Sequence, residues 1–166
     1  RIYTINMSRA TDIFSELGFD TKQVQLPEGA VVYSIARTYS LIMQKLAERY
    51  RRFRLSAASF NLLLLLQRGK DPGSFTQRRI GRYLVVSPSD MSGLIDRLER
   101  KGFVRRLPGK DRRSKLVRIT PQGRKRVEDA WPHHVKAIER LTTLLAPQEV
   151  NVLLRAMGRL REAVAK

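Results

Sequence analysis

Two groups of side chains in this sequence have types and spacings suited to chemistry, and both suit a polyanion. Lys110, Arg112, Arg113 and Lys115 fall on one short connection, with Pro108 and Gly109 before them and a single acid, Asp111, among them. So dense a cluster of cations makes a tip able to follow a phosphate backbone or to put an arginine into a minor groove, where the potential is most negative. Asp111 is badly placed to face phosphate and reads as the internal partner of one of the arginines. The second group precedes it. Ser89, Asp90, Ser92, Gly93, Asp96, Arg97 and Arg100 share one side of a segment whose other side is Met91, Leu94, Ile95 and Leu98. Small polar residues at the start of such a helix let the backbone approach base edges, and the helix N-terminus favours phosphate. Gly93 costs about 1 kcal/mol of helix stability relative to Ala. A groove-facing position where bulk would block approach explains it, and so does tight packing on another helix.

The elements that must hold these groups follow from caps and period. Ser8 starts a short helix that Gly18 stops, with Ile13, Phe14 and Leu17 on one face. Val31 to Phe53 repeats its apolar residues at three- and four-residue steps, the pattern of an amphipathic helix. Ser56 caps a second helix through Leu66, apolar nearly all round and therefore buried, and Thr76 opens a third to Leu84. Ser87 as cap, Pro88 at the first helical position and Asp90 as the acid of a capping box start the fourth, which Gly102 ends. The period then changes from 3.6 to 2. Phe103–Leu107 and Leu116–Ile119 alternate on either side of the basic tip, which is a β-hairpin. Thr120-Pro121 opens a long helix to Leu144 that Pro132 is expected to kink, and Pro147 opens a last amphipathic one. Two short helices, a sharp turn and a basic hairpin give the expected fold. It is mainly α with a small β-hairpin wing, a winged helix-turn-helix flanked by further helices.

Charge agrees with that placement. The 166 residues carry 33 Lys and Arg against 15 Asp and Glu, a formal net charge of +18. Thr76–Arg126, under a third of the chain, holds 16 of those cations and 4 of the acids. The surplus is thus concentrated as a binding surface would be, although charge alone does not separate duplex DNA from RNA. There is no cysteine, which excludes disulfides, Cys-ligated zinc and thiol-oxidation sensing and fits a reducing cytoplasm. No apolar run is long enough to span a membrane. The chain starts at Arg1, and residues 1–30 lack the apolar core of a signal peptide. His133 and His134 are neighbours on a helix and point about 100° apart, so no metal is expected there. No nucleophile–base pair, P-loop or paired carboxylate points to an enzyme, and no cofactor is implied. The basic run Arg49–Arg54 reads as a solvated helix end, where cations suit the helix dipole.

The run Ile95-Asp96-Arg97-Leu98-Glu99-Arg100-Lys101-Gly102-Phe103-Val104-Arg105-Arg106 resembles the MarR family of regulators. The resemblance continues through Asp111-Arg112-Arg113-Ser114 and Leu116-Val117-Arg118-Ile119-Thr120-Pro121-Gln122-Gly123. It implies a homodimeric transcription regulator, a cytoplasmic protein associated with the nucleoid, binding a pseudo-palindromic duplex operator. The winged domain would then span 56–120. Residues 31–55 and 121–166 would form the helical dimerisation region, and 1–30 a dimer-associated extension. Carried onto the wing, the resemblance makes Arg113 the minor-groove arginine, oriented by Asp111, with Arg112 and Lys115 on phosphates. The position after Ser92 is often Arg in the family, so Gly93 moves the expected contacts to Ser89, Ser92 and Arg97. Relatives commonly hold a small aromatic or phenolic acid between the dimer helices and the winged domain. Tyr33, Arg37 and Tyr39 with His133 or His134 are the candidates for it here, and each reads equally as a packing or surface residue. The expectation is a repressor released by such an effector; the alternative is a non-regulatory architectural or RNA-binding protein.

Overall fold

A computed structural model describes residues 13–22, 29–69, 74–84, 88–109 and 115–165, with Pro88 and Ser89 described in the backbone alone. It contains two compact units, Arg1–Glu48 and Arg49–Lys166.

In the first unit, residues 13–16 are helical and Gly18 ends the turn at φ +78°, with the Phe19 N–H donating back to the Phe14 carbonyl over 3.0 Å. That is the stop expected of Gly18, since only glycine adopts a positive φ without strain. Ile13, Phe14 and Ala30 form a buried cluster. Ala30 belongs to helix α1 (Gly29–Tyr50), whose last residues enter the second unit. The apolar period predicted a helix through Phe53. Instead Arg51–Phe53 tighten into a 3-10 turn, and Arg54 takes the left-handed conformation at φ 59°. Its carbonyl accepts from the Lys101 ammonium over 2.9 Å, which helps hold a conformation unfavourable for a residue with a Cβ.

The second unit carries helices α2 (Ala57–Arg68), α3 (Gln77–Tyr83), α4 (Pro88–Arg100), α5 (Pro121–Thr142) and α6 (Pro147–Val164). Three of the expected caps are in place. Ser56 accepts from the Ser59 N–H, Thr76 from that of Arg79, and Thr120 from that of Gly123. Thr120 also donates its hydroxyl to the Gly102 carbonyl over 2.6 Å. α6 starts differently, with the Glu149 carboxylate accepting the Ala146 N–H at 2.8 Å. α5 continues helically past Pro132. Ser87 lies outside the described residues.

The wing is a three-stranded antiparallel sheet, where a hairpin alone was expected. Strands β1 (Ser74–Thr76), β2 (Val104–Pro108) and β3 (Lys115–Ile119) lie in the order β1-β3-β2. β3 pairs Val104 with Ile119 on one side and Phe75 with Val117 on the other, and all four side chains are buried. β1 is three residues long, too short to show a period, and its partner is distant in sequence. α2 lies across α4, α5 and β3. Its apolar middle, Phe60, Leu62, Leu63 and Leu66, is fully buried, as a helix apolar on most sides must be.

Candidate nucleic-acid interface

The second helix of a helix-turn-helix must bury one stripe and leave the other free. α4 does both. Met91, Leu94, Ile95 and Leu98 are each at most 2% exposed, whereas Asp90, Ser92, Asp96, Arg97 and Arg100 lie on the exposed side, with Gly93 half-buried among them. Gly102 closes the helix at φ +72°, its N–H donating to the Glu99 carbonyl and that of Phe103 to Leu98. This double bond pattern turns the chain at once into β2 and so sets the wing beside the helix.

Two of the three acids on α4, Asp96 and Glu99, would repel phosphate if left alone. Arg106, on β2, engages both. Its backbone N–H donates to Glu99 Oε1 at 2.7 Å, and its guanidinium donates to Glu99 Oε2 and to Asp96 Oδ1. The backbone hydrogen bond first, then the guanidinium, holds the Glu99 carboxyl below the usual glutamate range. The polar face therefore presents Arg97 and Arg100 with Asp96 already neutralised. In front of α4, α3 adds Arg78 and Arg82 on its exposed side. Its first residue, Gln77, donates from Nε2 to Ser92 Oγ over 2.7 Å. On the outer face of the sheet Arg105 stands directly opposite Arg118, both exposed. Like charges facing each other across a strand pair destabilise it, and an anion relieves that repulsion.

Of the residues expected to contact DNA, Asp90, Ser92, Gly93 and Arg97 fall on this one face, and Lys115 is exposed at the start of β3. Lys110, Asp111, Arg112, Arg113 and the side chain of Ser89 lie, like Ser87, outside the described residues. The surroundings of Gly93 bear on the packing reading. Among the described residues, a Cβ there would meet the tip of Arg97 at 3.2 Å and no neighbouring helix. Sequence reasoning missed Gln77 and Arg106. Arg106 had a signal: the hairpin's alternation puts it on the inward side with Val104, where a charged residue needs a partner. Gln77 had none, because its approach to Ser92 is made by the fold.

The residues named for an effector divide between the units. In the first, the Tyr33 ring lies edge-on to Phe14 and Phe19 at 5.5 and 5.9 Å, Arg37 Nε is 3.7 Å from Glu16 Oε2, and Tyr39 is exposed. In the second, the buried Tyr50 hydroxyl is 2.7 Å from His134 Nδ1, and the His134 ring sits beside Phe60 and Trp131. Burial pushes the Tyr50 phenol up to about 12 and the His134 imidazole below its ordinary value. Both are thus neutral near pH 7, with the phenol donating and Nδ1 accepting. His133 lies 5.4 Å from Phe53. Among the described residues, no three acids, histidines or cysteines are grouped to hold a metal, and no helix is long and apolar enough to cross a membrane.

A tri-helical core, a three-stranded wing and a helix with one buried and one open polar face define a winged helix-turn-helix transcription regulator. The chain belongs to the MarR family, whose model matches residues 55–114. The uncharacterized HTH-type transcriptional regulator YwoH of Bacillus subtilis is 32% identical over 111 residues, 67% of this chain and 79% of that protein. The HTH-type transcriptional regulator PecS of Dickeya dadantii is 25% identical over 153 residues, 92% of each chain. Among solved structures, the Streptomyces coelicolor MarR family regulator Sco3205 in complex with DNA has a TM-score of 0.74 at 23% identity, covering 84% of this chain and 89% of that one. The organohalide-sensing regulator RdhR-CbdbA1625, bound to 2,4-dichlorophenol, has a TM-score of 0.76 at 16% identity, covering 87% and 85%.

Proposed function

We propose that this MarR-type regulator is a homodimeric repressor that binds a pseudo-palindromic operator and releases it on binding a small aromatic or phenolic acid. The observation that carries the DNA reading is the two-sidedness of α4, with its apolar stripe closed and its polar face open and Asp96 and Glu99 held by Arg106. One such helix fits one major groove, about 12 Å wide. Two, related by a dimer axis, fit successive half-sites about one helical turn apart.

The dimer reading is supported by α6. Its Val152, Leu153, Leu154, Leu160 and Val164 are all exposed, and no residue of the helix is buried. A helix of that length takes its stability mostly from packing its apolar face, and a second copy supplies a matching face. Residues 1–30, 31–55 and 121–166 form the dimerisation region in this reading, and 56–120 the DNA-binding one. The effector reading draws on the phenol carried by the structural neighbour, with Tyr33, Arg37, Tyr39, His133 and His134 as candidates for the ligand's aromatic wall and anion partner.

Binding to the DNA upstream of the chain's own gene tests the proposal. Affinity should rise steeply as salt falls, exceed that for random duplex and for RNA, and drop sharply with Arg113→Ala. Equal affinity for random duplex or RNA would favour the architectural or RNA-binding alternative. A thermal-shift series of aromatic acids and phenols tests the effector, since a ligand that binds the folded state raises its melting temperature.

A further inference from the structure

We propose that Gln77 and Ser92 act as one reading unit, in which Gln77 fixes the Ser92 hydroxyl as a hydrogen-bond donor and so selects an acceptor edge on the base it meets. The inference rests on the reading of α4 as the groove helix. A serine hydroxyl has one proton and two lone pairs, so by itself it serves donors and acceptors alike and carries little base information. Ser92 is not by itself. Gln77 Nε2 donates to its oxygen over 2.7 Å, which occupies a lone pair and leaves the proton to point elsewhere. Ser92 is exposed on the polar side of α4, so the outward direction is the groove.

Gln77 is itself held. It follows Thr76, whose hydroxyl caps α3 by accepting the Arg79 N–H and whose backbone closes β1 opposite Leu116 of β3. The wing sheet, the start of α3 and the polar face of α4 are thus joined within two residues. Without the Gln77 amide the hydroxyl is a free rotor, able to turn its proton back to the carbonyl one helical turn earlier. With it, one of the two lone pairs is taken and the proton is turned away from Gln77, which biases Ser92 toward donating. In the major groove guanine and thymine offer acceptors (O6 and N7, or O4), adenine offers N7 beside its amino donor, and cytosine offers only its amino donor. The unit therefore favours a base with an acceptor, guanine and thymine above all, and disfavours cytosine.

Enrichment of a randomised duplex by the full chain and its variants tests this. Ser92→Ala and Gln77→Ala should relax the preference at the same position by about fivefold, the worth of one hydrogen bond. Gln77→Glu is the sharper variant. A carboxylate only accepts, so it accepts a hydrogen bond from the Ser92 hydroxyl, turns the oxygen lone pairs to the groove and shifts the preference there toward cytosine. It should also fold well, since an acid in the first turn suits the helix dipole. Arg82→Ala, removing a cation of the neighbouring surface, should weaken binding to all sequences and leave the preference intact. The inference is overturned if wild type already prefers cytosine at that position, if Ser92→Ala relaxes no position, if Gln77→Ala keeps the wild-type preference, or if Gln77→Glu produces no shift. Should wild type enrich no sequence at all, the DNA reading itself falls, and that outcome is distinct because every variant then behaves alike.

Discussion

Arg106 grips Glu99 at two points, by its backbone N–H and by its guanidinium, and thereby fastens the last turn of α4 to the first strand of the wing hairpin. The pair is half-buried and includes a charge-assisted hydrogen bond, a stronger kind than a neutral one. Glu99→Gln keeps the size and removes the charge; the full chain should lose about 1 kcal/mol in denaturant unfolding. The pH dependence has a definite sign. Because the folded state holds the Glu99 carboxyl below its ordinary value, the pair stabilises fully above the glutamate range and stops doing so as pH falls through and below it. The difference between wild type and Glu99→Gln should therefore shrink on acidification. A constant difference from pH 7 to pH 3 would show that the charge contributes nothing.

The Tyr50–His134 hydrogen bond sets a second pH response, of the same direction and in a higher window. Burial keeps the folded imidazole neutral to lower pH than an exposed one. As pH drops past about 6.5 the unfolded chain takes up a proton that the folded chain does not, so stability declines until the folded imidazole also titrates. His134→Gln retains an acceptor for the phenol and removes the titration. Its melting temperature should fall less than that of wild type between pH 7.5 and pH 5. Equal slopes for the two proteins would remove His134 as the source.

Gly123 marks the joint between wing and α5. A Cβ there would stand 2.1 Å from the Phe103 carbonyl oxygen and 2.9 Å from Ile119. Backbone cannot yield as a side-chain tip can, so Gly123→Ala must push α5 off the strand ends. A loss of about 2 kcal/mol or more in chemical unfolding is expected. A neutral substitution would mean that α5 does not start against Phe103.

Much of this arrangement is legible in the sequence because local chemistry writes it. Ser56, Thr76 and Thr120 cap the helices they precede, Gly18 and Gly102 end turns at positive φ, and the change of period at Phe103 marks the hairpin. What was not legible depends on distant partners. β1 is a strand only because β3 pairs with it, and Arg54 holds a left-handed turn that nothing in its own side chain favours. The candidate site divides in the same way. The open face of α4 follows from a helical period, whereas Gln77 meets Ser92 because two helices cross there. The surroundings of the residues proposed for an effector were the least legible. Tyr33 and His134 pack against Phe14 and Phe60, contacts between distant residues that no period encodes.

Gly93 gives the contrary prediction to Gly123, and the pair separates packing from recognition. Among the described residues, a Cβ at Gly93 meets only the guanidinium tip of Arg97 at 3.2 Å, an exposed and flexible group that can move aside. Nothing in the described fold needs the glycine, yet a mid-helix glycine forgoes about 1 kcal/mol relative to alanine. Gly93→Ala should therefore raise the stability of the free protein. If the position is bare so that backbone and base edges can approach, the same substitution should weaken operator binding while leaving affinity for random duplex nearly unchanged. Stability gained together with specific affinity lost is the expected signature, read by unfolding and by titration against operator and random DNA. A variant more stable and equally specific would show that the groove does not come close to Gly93, and would place the contact surface nearer to Arg97 and Arg100.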